Sequence, residues 1–197
     1  MAHPARLQNK LLWLVLLYHF AHCTQQSQKE IVKRIINAKD VRFVMRNGVA
    51  WWGNEPFSGT VYMLYPGTGD TAWIESFTNG KEEGVWKKFF PNGRLNEQRG
   101  FIDGKKSGEF IAYWESGKKQ LQYFFKDGEY EGTCREWNRD GLLVREMNYH
   151  NGYEEGAQKQ FYDNGKIRSN YIVHNGKRYG LLGTKSCVNV SDSVFKR

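Results

Sequence analysis

The sequence predicts an all-β protein, built as a repeat meander of antiparallel β-hairpins with a 24-residue period. Composition is the first observation: the 197 residues include 21 Gly, 12 Phe, 11 Tyr and 7 Trp but only 4 Pro. This balance suits short strands joined by tight turns, and it does not suit a disordered chain, which would be poor in aromatic residues. The second observation is that glycines and aromatic residues recur in register along the chain, which indicates a stack of one small structural unit.

Three columns of glycine define the repeat. They are Gly80, Gly104, Gly128, Gly152 and Gly176; Gly84, Gly108, Gly132, Gly156 and Gly180; and Gly93, Gly117, Gly141 and Gly165. Each unit predicts an outgoing strand, a turn such as Pro91-Asn-Gly93, a return strand, and a second turn such as Asn79-Gly80. Asn-Gly and Asp-Gly favour hairpin turns because both residues tolerate positive φ. Counting over residues 57–180 predicts about ten strands in one long twisted sheet.

The rest of the chain divides around this repeat sheet. Residues 24–56 are predicted to be a tether and an N-terminal cap, and residues 181–197 an off-grid tail that covers the last strand edge. Within the cap, Ile31, Val32, Ile35 and Ile36 fit one side of a helix, and an extended strand fits nearly as well. Cys134 and Cys187 are predicted to be unpaired thiols, although a disulfide is permitted outside the cytoplasm.

Residues 1–23 are typical of an export signal. Arg6 and Lys10 precede an apolar run over residues 11–18, which is shorter than the roughly 20 residues that span a bilayer. Cys23 closes the segment and a polar stretch follows, which resembles the lipobox of bacterial lipoproteins, in which the cysteine is lipidated and becomes the mature N-terminus. Ordinary signal cleavage after Cys23 is the alternative, because His22 stands where a lipobox usually has Gly, Ala or Ser. Both interpretations predict export, and lipidation predicts a membrane anchor in the cell envelope, in the periplasm or at the outer membrane.

The repeat unit resembles a known family. Residues Asn79–Gly93 follow the pattern N-G-x-x-x-G-x-W-x-x-[FY]-[FY]-x-N-G, which resembles the MORN-repeat variant found in bacterial exported proteins. The opening Glu55-Pro-Phe-Ser-Gly59 is similar to the first repeat of such proteins, so the resemblance covers about Val49 to Gly180. Some relatives carry the label of an antitoxin in a toxin–antitoxin pair. Trp86 matches the Trp column of the motif, and later units replace it by Phe110, Cys134 and Gln158.

Residue patterns that could carry chemistry are few. His150 and His174 share one repeat position, so they lie two strands or roughly 9–10 Å apart, and we interpret them as solvated turn residues rather than zinc ligands. The pairs Glu82-Glu83 and Glu154-Glu155 lie in turns, where solvated charge is favoured over the desolvated carboxyl pair of a glycosidase. The sequence therefore predicts no enzyme, no catalytic residue, no metal site and no cofactor.

The aromatic columns allow two interpretations. Strand alternation predicts Phe89, Tyr113, Trp137 and Phe161 on one face of the sheet, and Phe90, Trp114 and Tyr162 on the other, interrupted by Asn138. In the first interpretation both columns are cross-strand packing. In the second, Phe90, Trp114 and Tyr162, flanked by Lys87 and Lys88, form a binding surface for an extended partner, because aromatic rings beside cations suit a glycan, a peptide or an anionic polymer.

These observations predict a non-enzymatic, envelope-associated repeat protein that binds a protein or glycan partner through its sheet surface. The alternative is an antitoxin or immunity protein that neutralises a toxin. The net charge of +8 permits nucleic-acid or anionic-lipid binding, but charges of both signs alternate, as at Lys105-Lys106 beside Glu109, so no basic stripe forms. Nucleic acid is therefore ranked last among the partners.

Mass spectrometry of the mature protein tests the signal prediction. We expect Cys23 as the first residue with a diacyl or triacyl mass, because a lipobox cysteine is acylated at its thiol after export. Substituting Cys23→Ala should remove the lipid mass. An unmodified mature chain that begins at Thr24 would contradict lipidation and support ordinary signal cleavage.

Overall fold

A computed structural model describes residues 33–183, and every regular element in that range is a β-strand. The proposed signal and most of the proposed tail lie outside the described residues. The first strands are β1 (Arg34–Asn37), β2 (Phe43–Arg46), β3 (Val49–Trp52), β4 (Glu55–Pro56), β5 (Gly59–Leu64), β6 (Thr71–Thr78), β7 (Lys81–Glu82), β8 (Gly84–Phe89) and β9 (Leu95–Ile102). The later strands are β10 (Lys105–Lys106), β11 (Gly108–Tyr113), β12 (Lys119–Lys126), β13 (Glu129–Tyr130), β14 (Gly132–Trp137), β15 (Leu143–His150), β16 (Tyr153–Phe161), β17 (Ile167–His174) and β18 (Lys177–Leu181).

Most of these strands form one 15-stranded sheet. Its order is β1-β5-β6-β8-β9-β11-β12-β14-β15-β16-β17-β18, and the short strands β7, β10 and β13 pair antiparallel with β6, β9 and β12. From β5 onward each long strand pairs antiparallel with the next one along the chain. The predicted all-β meander of hairpins is therefore confirmed. Strands β2, β3 and β4 form a separate three-stranded sheet.

The Asn-Gly and Asp-Gly turns adopt the left-handed backbone that the sequence predicts. All six non-glycine residues with positive φ in the described chain have φ between 50° and 53°, and each directly precedes a glycine. They are Asn47, Asn79, Asp103, Asp127, Asn151 and Asn175. Because both central residues of each turn are left-handed, these are two-residue turns of the type whose twist matches that of the paired strands.

The glycine column that contains Gly84 and Gly108 has a different structural role, because these glycines lie at β-bulges rather than in turns. Phe101 pairs with Lys106 across the turn, but three residues further back Gln98 pairs with Ile111, so the outgoing strand carries two extra residues. Gly108 lies at that bulge with φ of 75°, and Gly84, Gly132 and Gly156 have φ of 77°, 76° and 78°. An insertion of two residues keeps side chains on their original face, since strand side chains alternate with a period of two.

The Pro91-Asn-Gly93 turns differ from the Asn79-Gly80 turns, although their sequences predict positive φ at the Asn-Gly pair of both. Only Gly93, with φ of 77°, is left-handed there. Asn92 instead accepts a hydrogen bond at its Oδ1 from the backbone N–H of Arg94 at 3.0 Å. The Phe90 N–H donates to the Arg94 carbonyl at 2.8 Å, which closes a three-residue loop with the glycine at its end.

The N-terminal cap is extended, so the helical alternative for it is wrong over the described residues. Strand β1 pairs in parallel with β5, with Ile36 buried and Ile35 78% exposed, which is the alternation of a strand. The pairing is so close that a Cβ at Gly59 would lie 2.1 Å from the Arg34 carbonyl oxygen. β1 therefore covers the edge of β5, and only glycine fits at position 59, opposite Arg34.

Aromatic packing forms the core at this end of the sheet. The central buried residues are Ile36, Ala50, Phe57, Val61 and Phe77. From Phe77 the ring contacts continue to Trp86 at 5.3 Å and from Trp86 to Phe101 at 4.5 Å between centroids. Further along, Tyr130 stacks on Tyr149 at 5.0 Å. Cys134 is fully buried beside this ladder in β14 and forms no disulfide within the described residues; Cys187 lies outside them.

Gly132→Ala tests the bulge column. We expect a loss of about 1 kcal/mol in the free energy of unfolding, because a left-handed backbone disfavours any residue with a Cβ. No atom lies within 4 Å of the added Cβ, so the effect isolates backbone conformation. The matched control is Gly69→Ala, which also enters open space but at an ordinary φ. Equal unfolding midpoints in denaturant for the two variants would contradict this account of the column.

Alkaline unfolding tests the burial of the tyrosine ladder. Burial raises the pKa of Tyr149 to about 12, whereas an unfolded tyrosine ionises near 10. The contribution of the protonated Tyr149 hydroxyl to the free energy of unfolding is therefore fully present below pH 10. It is lost as the pH rises from about 10 to 12, because the tyrosine of the unfolded chain releases its proton first. Tyr149→Phe should make the loss of stability in denaturant melts shallower. The exposed control Tyr153→Phe should leave it unchanged, and identical pH profiles for all three proteins would contradict burial of the Tyr149 hydroxyl.

Candidate binding site

Aromatic residues recur beside the hairpin turns, on the side of the sheet where the outgoing strands end. Phe90, Trp114 and Tyr162 each directly follow the last residue of a strand, and Asn138 takes this position in the remaining unit. Each one closes its turn through its own backbone. The Trp114 N–H donates to the Lys118 carbonyl at 2.8 Å, and the Gly117 N–H donates to the Trp114 carbonyl at 2.8 Å. The turn therefore fixes the backbone from which each ring projects.

The two aromatic columns do not separate cleanly onto opposite faces as strand alternation predicts. A register shift lies between Ala112 and Tyr113, and the same shift recurs at the end of each hairpin. Alternation holds only along a regular ladder, so it cannot be extended past this shift. As a result Tyr113, predicted on the face opposite Phe90 and Trp114, lines the same hollow as those two residues.

This hollow has a volume of about 410 Å³ and lies at the ends of neighbouring hairpins. Its apolar lining is Phe90, Tyr113 and Trp114. Two amide side chains, Asn96 and Gln120, line it from the return strands. The remaining lining residues are Glu115, Ser116 and Arg139. Its size falls at the lower end of the roughly 300–1,000 Å³ that small-molecule pockets occupy.

Trp114 is the best-positioned ring in the hollow. Its indole Nε1–H donates to the Trp137 carbonyl at 3.2 Å, which fixes the ring plane against the next unit. The Arg139 guanidinium carbon lies 5.2 Å from the ring centroid, within the range of a cation–π contact. Trp114 is half-buried, so part of its surface stays open to a ligand. The site thus combines a fixed aromatic surface with an adjacent positive charge.

The structure brings together only two of the five residues predicted for a binding surface. Phe90 and Trp114 line the hollow, and Tyr162, Lys87 and Lys88 do not. Tyr162 lies two units away, with the Arg168 guanidinium carbon 6.0 Å from its ring centroid. Lys87 and Lys88 are consecutive in β8, so their side chains leave opposite faces. Lys88 is held by an ion pair with Glu97 at 2.9 Å.

The polar lining of the hollow was not among the predicted site residues, although the sequence carries a signal for it. Asn96 and Gln120 are 24 residues apart and therefore occupy one column of the repeat, like Phe90 and Trp114. The next two residues of the amide column are Val144 and Arg168, while Asn138 replaces the aromatic residue in the third unit. Asn138 instead binds the backbone of its own turn, where its Oδ1 accepts a hydrogen bond from the Leu142 N–H at 2.9 Å. The aromatic–amide pair thus occurs in two consecutive units, where the hollow lies.

The column of the motif tryptophan has a structural role. The Trp86 Nε1–H donates to the Ser76 carbonyl at 2.9 Å, and Gln158, three units later, donates its Nε2–H to the equivalent carbonyl of Asn148 at 2.7 Å. Gln158 also accepts at Oε1 from the Asn148 N–H at 3.2 Å. These carbonyls lie beside the bulge, where the regular ladder is interrupted. At Trp86 and Gln158 the column therefore serves the backbone, whereas Phe110, in the unit after Trp86, has no hydrogen-bond donor.

The turn histidines and carboxylates link consecutive units. His150 Nδ1 lies 3.1 Å from Glu131 Oε1, and hydrogen bonds from the Asn151 backbone N–H and from His150 lower the pKa of Glu131. Two units earlier, at the equivalent positions, Glu83 accepts from the Asp103 N–H at 2.9 Å. Within residues 33–183 no three His, Cys, Asp or Glu side chains form a group that could hold a metal ion.

Fold and site together define a β-hairpin repeat protein with a hollow at the hairpin ends. A family model described as MORN repeat variant matches residues 82–103, 106–127 and 154–172, so the sheet contains MORN-variant repeats. The unmatched unit between the second and third matches keeps the same left-handed glycines, with φ of 94° at Gly128 and 76° at Gly132. In the part of the chain that the structure describes, no helix is long and apolar enough to cross a membrane.

Comparison with other proteins adds little to this. A search of the curated proteins found no match. Among solved structures, the crystal structure of TarM and that of an S. aureus TarM mutant each match 56% of this chain and 21% of the TarM chain, at 17% and 16% identity and a TM-score of 0.32. This chain thus spans about a fifth of the TarM chains. At that score the likeness carries no conclusion about the present chain.

Gln158→Leu tests the structural role of the tryptophan column. We expect a loss of about 1–3 kcal/mol in the free energy of unfolding, because the Asn148 N–H and carbonyl would lose their partner in a buried site. The matched control is Gln160→Leu, on the same strand and face, whose side chain makes no hydrogen bond with the described residues. Denaturant melts should separate the two variants. A loss no larger for Gln158→Leu than for Gln160→Leu would contradict the role.

Proposed function

We propose that this chain is a non-enzymatic repeat scaffold of the cell envelope that binds a protein or glycan partner at the hairpin edge of its sheet. The observation that carries the proposal is the hollow around Trp114, where a fixed indole ring lies beside a guanidinium and two amide side chains. Aromatic rings with one polar end dominate recognition surfaces because they bury a large area at a small cost in side-chain entropy.

The contacts available in this hollow favour binding over catalysis. Its two oppositely charged side chains, Glu115 and Arg139, are both exposed to solvent. A general acid or base works best in a site from which water is excluded. We therefore assign the hollow to contact with a partner.

The envelope part of the proposal rests on the sequence of residues 1–23. A short apolar run after two basic residues, followed by Cys23, favours export and anchoring by a lipid. An exported scaffold would meet envelope proteins and glycans. The alternative of a neutralising protein for a toxin predicts a tight stoichiometric complex with one neighbouring gene product, and harm to the cell when this gene alone is deleted.

Capture from envelope extracts tests the proposed function. The immobilised full chain should retain a reproducible protein or glycan partner, and Trp114→Ala should lose most of it because the central contact surface is removed. Tyr153→Ala is the matched control, since Tyr153 is an aromatic residue 79% exposed on a turn away from the hollow. Both variants must first show cooperative unfolding. Equal retention by the wild-type chain and Trp114→Ala, or reproducible absence of any partner, would contradict the proposal.

A further inference from the structure

The amide side chains in the hollow have unused hydrogen-bonding capacity. Asn96 and Gln120 are both half-buried, and neither side chain makes a hydrogen bond with another residue of the described chain. Some other amides of the sheet are engaged: Gln122 donates to Glu109 at 2.5 Å, and Gln158 binds the backbone of Asn148. The donors and acceptors of Asn96 and Gln120 line one hollow and are therefore available to a ligand.

The pattern of donors and acceptors favours a hydroxyl-rich ligand. Each amide offers two N–H donors and a carbonyl acceptor, and each sugar hydroxyl both donates and accepts. A pyranose ring also presents an apolar C–H face that packs on an aromatic ring. Phe90 and Trp114 supply two rings next to the two amides, at the same 24-residue spacing. Residues one repeat apart lie two strands, or roughly 9–10 Å, apart, so each ring–amide pair can contact a different sugar ring of one oligosaccharide.

Arg139 adds a charge preference to this arrangement. Its guanidinium contacts the Trp114 ring, and it forms no ion pair with a carboxylate in residues 33–183. Several other arginines of the sheet are paired with carboxylates, as Arg135 is with Glu146 at 2.9 Å and Arg178 with Glu154 at 2.9 Å. A guanidinium binds a carboxylate through two parallel hydrogen bonds, so an open one beside an aromatic ring favours an acidic ligand.

Glu115 limits how acidic the ligand can be. Its carboxylate lines the same hollow, and its nearest side-chain partner is the neutral amide of Asn92 at 3.5 Å. A densely charged polymer would place anions against Glu115 as well as Arg139, whereas one carboxyl per sugar can lie on the Arg139 side. This separates the site from the basic stripes that bind nucleic acids.

Resting on the proposed function, we infer that the hollow binds a uronic acid unit of an acidic oligosaccharide. The uronic acid ring packs on Trp114, with its hydroxyls at Gln120 and its carboxylate at Arg139, and another ring of the same oligosaccharide packs on Phe90 beside Asn96. An acidic peptide is the competing occupant. It is disfavoured because an amide beside an aromatic ring in each unit matches the hydroxyls beside the apolar C–H face of a sugar ring, and an acidic peptide side chain has no such face.

Calorimetry on the full chain tests the inference with three acidic tetrasaccharides, from galacturonan, alginate and hyaluronan, each beside its carboxyl-reduced counterpart. At least one acidic probe should bind about tenfold more tightly than its reduced form, since one charge-assisted contact separates them. Arg139→Gln should abolish this difference while weak binding of both forms persists. Arg168→Gln is the matched control, because Arg168 lies over the ring of Tyr162 outside the hollow.

Asn96→Ala should weaken the acidic and reduced forms by the same factor, and it perturbs no hydrogen bond of the described fold. Equal binding of acidic and reduced probes, or a charge preference that survives in Arg139→Gln, would overturn the inference while leaving the proposed scaffold function intact. Absence of binding by all three acidic probes would also overturn it. Failure of the proposed function is recognised separately, by envelope capture that does not depend on Trp114.

Discussion

The left-handed backbone at the Asn-Gly and Asp-Gly turns sets the register on which the whole sheet depends. Side chains alternate between faces with a period of two, so a slip of one residue at any turn would move every later side chain to the wrong face. Five such turns lie in the 15-stranded sheet and share a φ of 50–53° at their first residue. The bulges at Gly84, Gly108, Gly132 and Gly156 each add two residues, which bends the strand without changing the face. The buried aromatic ladder and the tryptophan column stay aligned for this reason.

The hollow is a consequence of that register. Because each unit has the length of the one before it, a residue type that recurs 24 positions later lies at the equivalent place in the next hairpin. Phe90 and Trp114 become neighbours in this way, and so do Asn96 and Gln120. Sequence differences between the units then confine the site to one place. In the third unit Asn138 replaces the aromatic residue and binds its own turn, and the Arg139 guanidinium lies over the Trp114 ring of the preceding unit. A regular scaffold thus acquires a local binding site through a few substitutions at fixed positions.

Much of the fold could be predicted because its determinants are local. Turn residues at fixed spacing specify hairpins, and consecutive hairpins form a meander without long-range information. The parallel pairing of β1 with β5 and the separate sheet of β2, β3 and β4 could not be predicted, since they depend on contacts outside the repeat. The helical alternative for the cap was wrong because Ile35 and Ile36 alternate between solvent and core rather than sharing a face.

The site could be predicted only in part. Phe90 and Trp114 were found because their ring column is visible in the sequence. Tyr162, Lys87 and Lys88 were included on strand alternation and sequence proximity, and alternation fails at the register shift that ends each hairpin. Arg139 was missed because its contact with Trp114 joins different units and depends on the shape of the intervening turn.

Nuclear magnetic resonance of the tryptophan indole N–H groups tests the central claim most directly. The Trp114 indole donates to Trp137 at the edge of the hollow, whereas the Trp86 indole donates to Ser76 in the tryptophan column. Adding the galacturonan, alginate and hyaluronan tetrasaccharides in turn should shift the Trp114 resonance with at least one probe and leave that of Trp86 in place. A binding site built from the hairpin ends would be contradicted if no probe shifted either resonance. It would also be contradicted if the Trp86 resonance shifted as far as that of Trp114.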